Sequence, residues 1–276
     1  MKKNMKRRIL PTLNHIALFI VAFIFSIPLI WALKSAFTPT GEIFITKIFQ
    51  TPSRFSLDNI ISGLGYAPFD RYFVNSLVVA ICVTVGIVTT SALAGFAFSK
   101  FDFPGKSLMF ICVISAMLLP FQAILIPLFI EMRYLNMIDT LQGVALPGAV
   151  SGFGIFMMRQ FMISIPNELI EASLLDGCTT FQVFRRVVVP ISSGPISALA
   201  ALAFLASWNN FLWPLVMVQN EQRMTIPLGL ALFRGNNATA YGEVFAVSLI
   251  AAIPVALIFI LMRRQIVESF STSGIK

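Results

Sequence analysis

Charge is what this sequence has least of. Only 12% of its 276 residues are Asp, Glu, Lys or Arg, about half the share usual in soluble domains. There is one histidine, His15, so a metal centre built on imidazoles is excluded. The three cysteines, Cys82, Cys112 and Cys178, form no CxxC pair. They offer no disulfide framework and read as two small buried hydrophobes and a free thiol. Six runs hold no residue ionised at neutral pH, His15 aside: Arg8 to Lys34, Arg71 to Lys100, Lys106 to Glu131, Asp139 to Arg159, Arg186 to Glu221, and Glu243 to Arg263. Ion-driven carriers keep ionisable groups inside their spans to hold the coupling ion, and these runs contain none. Nor do a nucleophile, an acid and metal ligands converge anywhere as catalysis would require. The chain is therefore expected to be no enzyme and to hold no cofactor. "PGKS" at 104–107 resembles the end of a phosphate-binding loop, but Lys100 stands where that loop needs its first glycine. If ATP drives this protein, another chain binds it.

What the sequence has in abundance is apolar residues, 57% of the total, with 27 phenylalanines. Each uncharged run is long enough for a helix across a hydrocarbon core about 30 Å thick, which takes about 20 residues. A soluble domain would not repeat such runs six times. The expected fold class is all-α: a polytopic membrane protein with six transmembrane helices near 13–35, 73–97, 107–130, 141–160, 195–218 and 242–262, forming one domain over 1–276. The first run exceeds the usual signal-peptide core and lacks a small-residue cleavage pattern after it, so it reads as a true span. Pro28, Pro120, Pro127, Pro147, Pro214 and Pro254 lie in or beside spans. Each removes a backbone donor; such breaks survive where protein or a water-filled cavity satisfies the freed carbonyls.

Orientation follows from Lys and Arg. With the N-terminus inside, Lys2, Lys3, Lys6, Arg7, Arg8, Lys100, Lys106, Arg159, Arg185, Arg186, Arg263, Arg264 and Lys276 are cytoplasmic. Lys47, Arg54, Arg71, Arg133, Arg223 and Arg234 are outside, and Lys34 sits at the outer boundary. This bias obeys the positive-inside rule. It places both termini in the cytoplasm of a multi-pass protein and accounts for the net charge of +8. Nucleic acid is not an expected partner, because the aromatics lie in spans rather than on a basic solvated face.

One polar segment interrupts the chain. Between Phe161 and Gly194 the local signals spell helix, bend, helix. Pro166 suits a first helical turn, and Glu168 and Glu171 favour the positive N-terminal end. Leu169, Ile170, Ser173 and Leu174 share a side. Gly177 ends the helix in a left-handed stop. Thr179 and Gln182 form a capping-box pattern for a second helix, with Phe181 and Phe184 on one face and Pro190 as its end. Exposed apolar residues beside acids suit a protein partner. The competing assignment is a helix pair lying on lipid, but such pairs carry Lys and Arg on their polar face, and the first helix here is acidic.

These residues resemble the permease subunits of binding-protein-dependent ABC importers, whose cytoplasmic loop reads E-A-A-x3-G-x9-I-x-L-P. Here it runs Glu171-Ala172-Ser173, three residues, Gly177, nine residues, then Val187-Val188-Val189-Pro190. Ser replaces the third Ala, and two Val replace Ile and Leu. "RYFVNSLVVA", "AFSKFDFPGKSLMF" and "WNNFLWPLVM" extend the likeness to the sugar-uptake branch, in particular to the second permease subunit of the maltose type. The tail "SFSTSGIK" departs from that branch's Gly-rich ending at Ser269 and Ser273. The resemblance implies a bacterial or archaeal cytoplasmic membrane and a heterodimer with a homologous permease. It also implies two ATPase subunits holding ATP and Mg, and an extracytoplasmic solute-binding protein. It implies ATPase docking through Glu168, Glu171, Ala172, Ser173, Asp176, Gly177, Phe181, Phe184 and Pro190. The implied solute is a sugar or oligosaccharide, the alternative a polyol or glycerol-phosphate compound. An ion-coupled carrier or channel is the rival class.

The fifth span carries "SWNNFLWP", with Ser207, Trp208, Asn209, Asn210, Trp213 and Pro214 expected inside it. Amides and indoles suit a sugar's hydroxyls and apolar faces, so Trp208, Asn209, Asn210 and, in the third span, Gln122 are candidates for the solute path. The alternative is that the amides join helices, at about 0.6 kcal/mol per bond, and the indoles mark the interface.

Overall fold

A computed structural model describes the backbone of residues 2–44, 50–236 and 240–272, and side chains over 14–44, 50–233 and 240–262. The tail residues from Ser273 onward, and the side chain of Ser269, lie outside the described residues. Among the described residues fourteen α-helices follow one another: α1 Lys2–Ala36, α2 Asp58–Gly65, α3 Phe69–Lys100, α4 Lys106–Met117, α5 Phe121–Tyr134, α6 Leu141–Ala145, α7 Gly152–Ile163, α8 Asn167–Leu175, α9 Thr180–Val183, α10 Val189–Ile191, α11 Ser193–Trp208, α12 Leu212–Met217, α13 Ile226–Asn236 and α14 Tyr241–Thr272. There is no strand among the described residues. The helices fall into two compact units: Met1–Pro68 with Leu230–Ala252, and Phe69–Gly229 with Ile253–Lys276.

In the first unit, the buried Asn59 of α2 ties down the end of α1. Its amide donates to the carbonyls of Ala36 at 3.2 Å and Thr38 at 2.7 Å. Trp31 meets Phe245 edge to face, and Tyr66 stacks on Phe233.

The second unit is organised on α3, a helix of 32 residues against which α7 and α11 pack. Small residues let α7 and the turn before it approach closely. A Cβ at Gly86 would lie 2.7 Å from that of Ala149, and one at Gly154 would lie 2.3 Å from the Ser91 hydroxyl. Without a hydrophobic drive between helices in lipid, contacts of this kind supply association through dispersion. Two buried clusters result. One joins Val79 and Val83 to Val144, Trp213 and Met217; the other joins Phe96 to Met158, Met162, Val183 and Val188.

Among the described residues four helical stretches are long and apolar enough to cross a membrane: Asn14–Ala36, Phe69–Lys100, Leu141–Ile163 and Tyr241–Met262. Two further helix pairs, Lys106–Met117 with Phe121–Tyr134 and Thr180–Ile191 with Ser193–Trp208, pass the same test only when taken together across a bend, so the spans number four, or up to six if each bent pair is one span. The expected third span, 107–130, bends by 104° between α4 and α5. Pro120 is extended there and has no N–H to continue the α4 ladder. The expected fifth span, 195–218, is likewise interrupted: α11 stops at Trp208 and α12 starts at Leu212. The segment Thr180–Ile191 adjoins α11 at a 79° bend. Cys82 and Cys112 correct another expectation, since both are exposed on their helices rather than buried. A thiol is apolar enough to face lipid as readily as core.

Candidate docking surface and solute cavity

The sequence around 161–194 folds as its local chemistry dictates. Helix α8 begins at Asn167, with Pro166 as its extended N-cap rather than in its first turn. Its end is a complete Schellman motif: Gly177 N–H donates to Leu174 O at 3.0 Å and Cys178 N–H to Ser173 O at 3.1 Å. Gly177 carries the required left-handed conformation at φ 83°. Thr179 and Gln182 then cap α9 reciprocally.

The expected end at Pro190 differs. Phe184–Val188 winds as a π-helix, and the helical path continues through Pro190 to Ile191. In a regular α-helix the proline ring would clash with the carbonyl four residues back. Widening the coil just ahead of it relieves that clash.

Burial divides the segment into an anchored side and an open side. Val183 and Val188 are buried in the Phe96 cluster, with Ile170, Cys178 and Phe184 packed against it. Ile170 therefore parts company with Leu169 and Leu174, which are exposed. Phe184 lies 5.4 Å from Phe96, centre to centre. On the open side stand Glu168, Glu171, Ala172, Asp176, Gly177, Phe181 and Pro190, with Ser173 half-buried. Leu175 is 88% exposed and Phe181 63% exposed. Leu175 was not singled out from the sequence. Its i+1 position next to Leu174 breaks the helical periodicity that would mark it as a partner of either face.

A second feature lies where both helix breaks converge. A cavity of about 240 Å³ is walled by Ser76, Val79, Val83 and Ile87 of α3, by Phe121 at the start of α5, and by Ser207, Asn210 and Trp213 around the second break. Trp213 is buried and donates its indole N–H to Gly143 O at 3.1 Å. It meets Phe121 edge to face at 6.0 Å. The Asn210 side-chain oxygen accepts from Trp213 N–H at 3.3 Å and so starts α12. The Ser76 hydroxyl accepts from Ile226 N–H at 2.8 Å. The buried hydroxyl of Thr225, also on the cavity wall, has no partner among the described residues. None of the described residues lining the cavity is charged.

Of the four expected path residues, Asn210 alone lines this cavity. Asn209 turns its amide onto Leu205 O at 2.9 Å, closing the last turn of α11. Trp208 is buried between Phe204 and Phe73, and Gln122 is exposed beside Phe121. Ser76 and Thr225 reach the cavity from sequence positions some 150 residues apart, a separation no periodicity reveals.

The loop between α5 and α6 is held in two places. Asn136 and Asp139 both adopt positive φ, at 55° and 56°. The Asp139 carboxylate accepts from the backbone of Asn220 at 2.9 Å and Gln219 at 3.1 Å, and pairs with Arg223 at 3.1 Å. The Asn220 N–H above all, with Gln219 and Arg223, holds its carboxyl below the usual value.

Helices α7 and α11 pack on one long helix, two helix pairs are bent, and a helix–bend–helix stands exposed, an arrangement that suits a membrane transport component. The sequence model of the binding-protein-dependent transport system inner membrane component matches residues 83–267. The chain belongs to that family. It is 32% identical over 283 residues to the arabinooligosaccharides transport system permease protein of Halalkalibacterium halodurans, covering 99% of this chain and 100% of the relative. It is 31% identical over 275 residues to the sn-glycerol-3-phosphate transport system permease protein of Salmonella typhimurium, covering 97% and 98%. Its fold matches, at a TM-score of 0.80 and 21% identity, a chain in the crystal structure of a bacterial ABC transporter involved in the import of the acidic polysaccharide alginate. That match covers 93% of this chain and 96% of the other.

Proposed function

We propose that this chain is the permease half that imports a sugar or oligosaccharide, its two units acting as one transmembrane domain. It pairs with a homologous permease, two ATPase subunits and an extracytoplasmic binding protein, in the cytoplasmic membrane with both termini inside. ATP and Mg belong to the ATPases. The segment 167–190 docks into the ATPase through Leu169, Leu174, Leu175 and Phe181, with Glu168, Glu171 and Asp176 supplying charge and Gly177 the bend. Closure of the ATPases would rock the spans between inward-open and outward-open states, a rigid-body switch.

The observation that carries the docking reading is the exposure of Leu175 and Phe181 on a segment whose opposite side is fixed in a core. Apolar side chains held rigidly in the open are costly unless a partner covers them. For the solute, the cavity favours a neutral polyhydroxyl compound. Asn210, Ser207 and Thr225 offer hydrogen bonds among apolar walls, and no Lys or Arg among the described lining residues would meet a phosphate. Asn210 is retained as a path residue on this ground, and the exposed Gln122 stays a candidate; Asn209 acts through helix geometry and Trp208 through packing.

The test is reconstitution with the cognate ATPase, permease and binding protein, followed by uptake of labelled arabinotriose, chitobiose and glycerol-3-phosphate. ATP-dependent uptake of an oligosaccharide is expected. Uptake of glycerol-3-phosphate alone would overturn the sugar assignment, and uptake independent of ATP would overturn the importer.

A further inference from the structure

We propose that Lys100 is a positioning residue that yokes the docking helix α8 to α3, so that a displacement of one moves the other. The inference rests on the docking reading above. Lys100 is the last residue of α3. A lysine there ordinarily reaches back to its own helix's open carbonyls or out to water. Here Nζ donates instead to Ile165 O and, at 2.9 Å, to Asn167 Oδ1.

Those two acceptors flank Pro166, the N-cap of α8, which lacks a side-chain capping bond. A proline has no N–H with which to anchor itself, so a cation from another helix holds the start of α8. Ile165 is buried in the same cluster as Phe96 and Val183. The neighbouring cation cannot take over: Lys106 is bonded to Phe101 O at 2.7 Å and to Asp102 at 3.0 Å. On the α7 side, Arg159 donates to Phe98 O at 3.3 Å and lies 4.1 Å over the Phe110 ring. That contact braces α3 without touching α8.

The consequence follows from the length of α3. Its 32 residues span about 48 Å at the helical rise. The α8 anchor is at one end, and Ser76, Val79, Val83 and Ile87 wall the cavity from the other half to just past the middle. A helix is stiff along its axis, so a push on α8 delivered through Lys100 reaches the cavity wall as a tilt of α3. Without Lys100, α8 keeps its apolar anchors but loses the directional link, and can move without carrying α3.

The experiment needs no knowledge of the solute. In the assembled transporter, with native cysteines replaced, a cysteine at Ser207 reports cavity access through its rate of modification by a small methanethiosulfonate reagent. That rate is compared with and without ATP and vanadate. In the Lys100 parent the nucleotide should change the rate. Lys100→Met should shrink the change about tenfold, the equilibrium factor that one charge-assisted hydrogen bond commands, while the ATPases still hydrolyse ATP. Lys100→Arg, which can reach both oxygens, should restore it. Asn167→Ala, which removes one acceptor, should fall between. An undiminished response in Lys100→Met overturns the proposal. Should Lys100→Met fail to assemble, an undiminished response in Asn167→Ala overturns it equally. Absence of any nucleotide response in the parent would sink the docking reading itself, and this inference with it.

Discussion

At position 177 the backbone conformation, rather than any neighbour, sets the residue. A Cβ there would meet nothing within 4 Å, yet φ is 83°. Gly177→Ala should therefore cost roughly 1–2 kcal/mol through conformation alone. Gly177→Asn should cost less, because asparagine tolerates the left-handed region. Co-purification of the ATPase from washed membranes should fall in the order glycine, asparagine, alanine. Equal recovery of all three would mean that the bend does not set the docking geometry. Asp139 gives a second residue-scale test. Its folded pKa is depressed below 3.8, first by the Asn220 N–H. Its stabilisation is thus fully present above that ordinary value and lost as pH falls through the lowered one. Amide hydrogen exchange at Gln219 and Asn220, corrected for intrinsic rate, should lose protection on acidification below 3.8. In Asp139→Asn, which keeps the positive φ without the charge, protection should be weak at every pH. Identical acid responses in the two proteins would remove Asp139 from this role.

Among the elements, the breaks after Met117 and after Trp208 matter most, because both open on one cavity. Asn210 has two jobs there: it caps α12 and offers an amide to the cavity. Asn210→Ser keeps a capping oxygen and loses the amide, whereas Asn210→Ala loses both. If the amide holds solute, both variants should raise the concentration for half-maximal uptake by about tenfold, a decade being the scale of one hydrogen bond left unmade. If serine restores normal uptake, the cap is the whole role. Trp213→Phe tests the packing beside it. It leaves Gly143 O buried without the indole donor and should destabilise the unit by about 1–3 kcal/mol, read as a lower thermal midpoint in detergent with the fold retained.

For the whole molecule, the basic residues predict sidedness. Single cysteines at Thr40 and at Tyr134 should react with an impermeant reagent from outside, and one at Phe181 only from inside. Tyr134 is preferable to its neighbour Asn136, whose φ of 55° a cysteine would tolerate poorly. Tyr134 also distinguishes a broken span from a re-entrant loop. The 104° bend between α4 and α5 allows either. Labelling of Tyr134 from outside supports the span; labelling from inside would return α5 to the side of Lys106.

The sequence by itself determined the class of this protein. Uncharged runs of membrane length, the excess of Lys and Arg assigned to one side, and the spacing from Glu171 through Gly177 to Pro190 are local or additive properties, legible without a fold. So were the Schellman bend at Gly177 and the capping box at Thr179, which hydrogen bonds within a few residues define. Tertiary structure decided the rest. Hydropathy counts apolar residues but carries no information about direction, so the bend at Pro120 and the break after Trp208 read as continuous spans. The π-turn that carries a helix past Pro190 was hidden for the same reason, since a proline signals a lost donor and not how the coil accommodates it. Asn209 and Asn210 are identical in composition and adjacent in sequence. One closes its own helix and the other lines a cavity, because only packing against α3 and α5 decides which amide faces empty space.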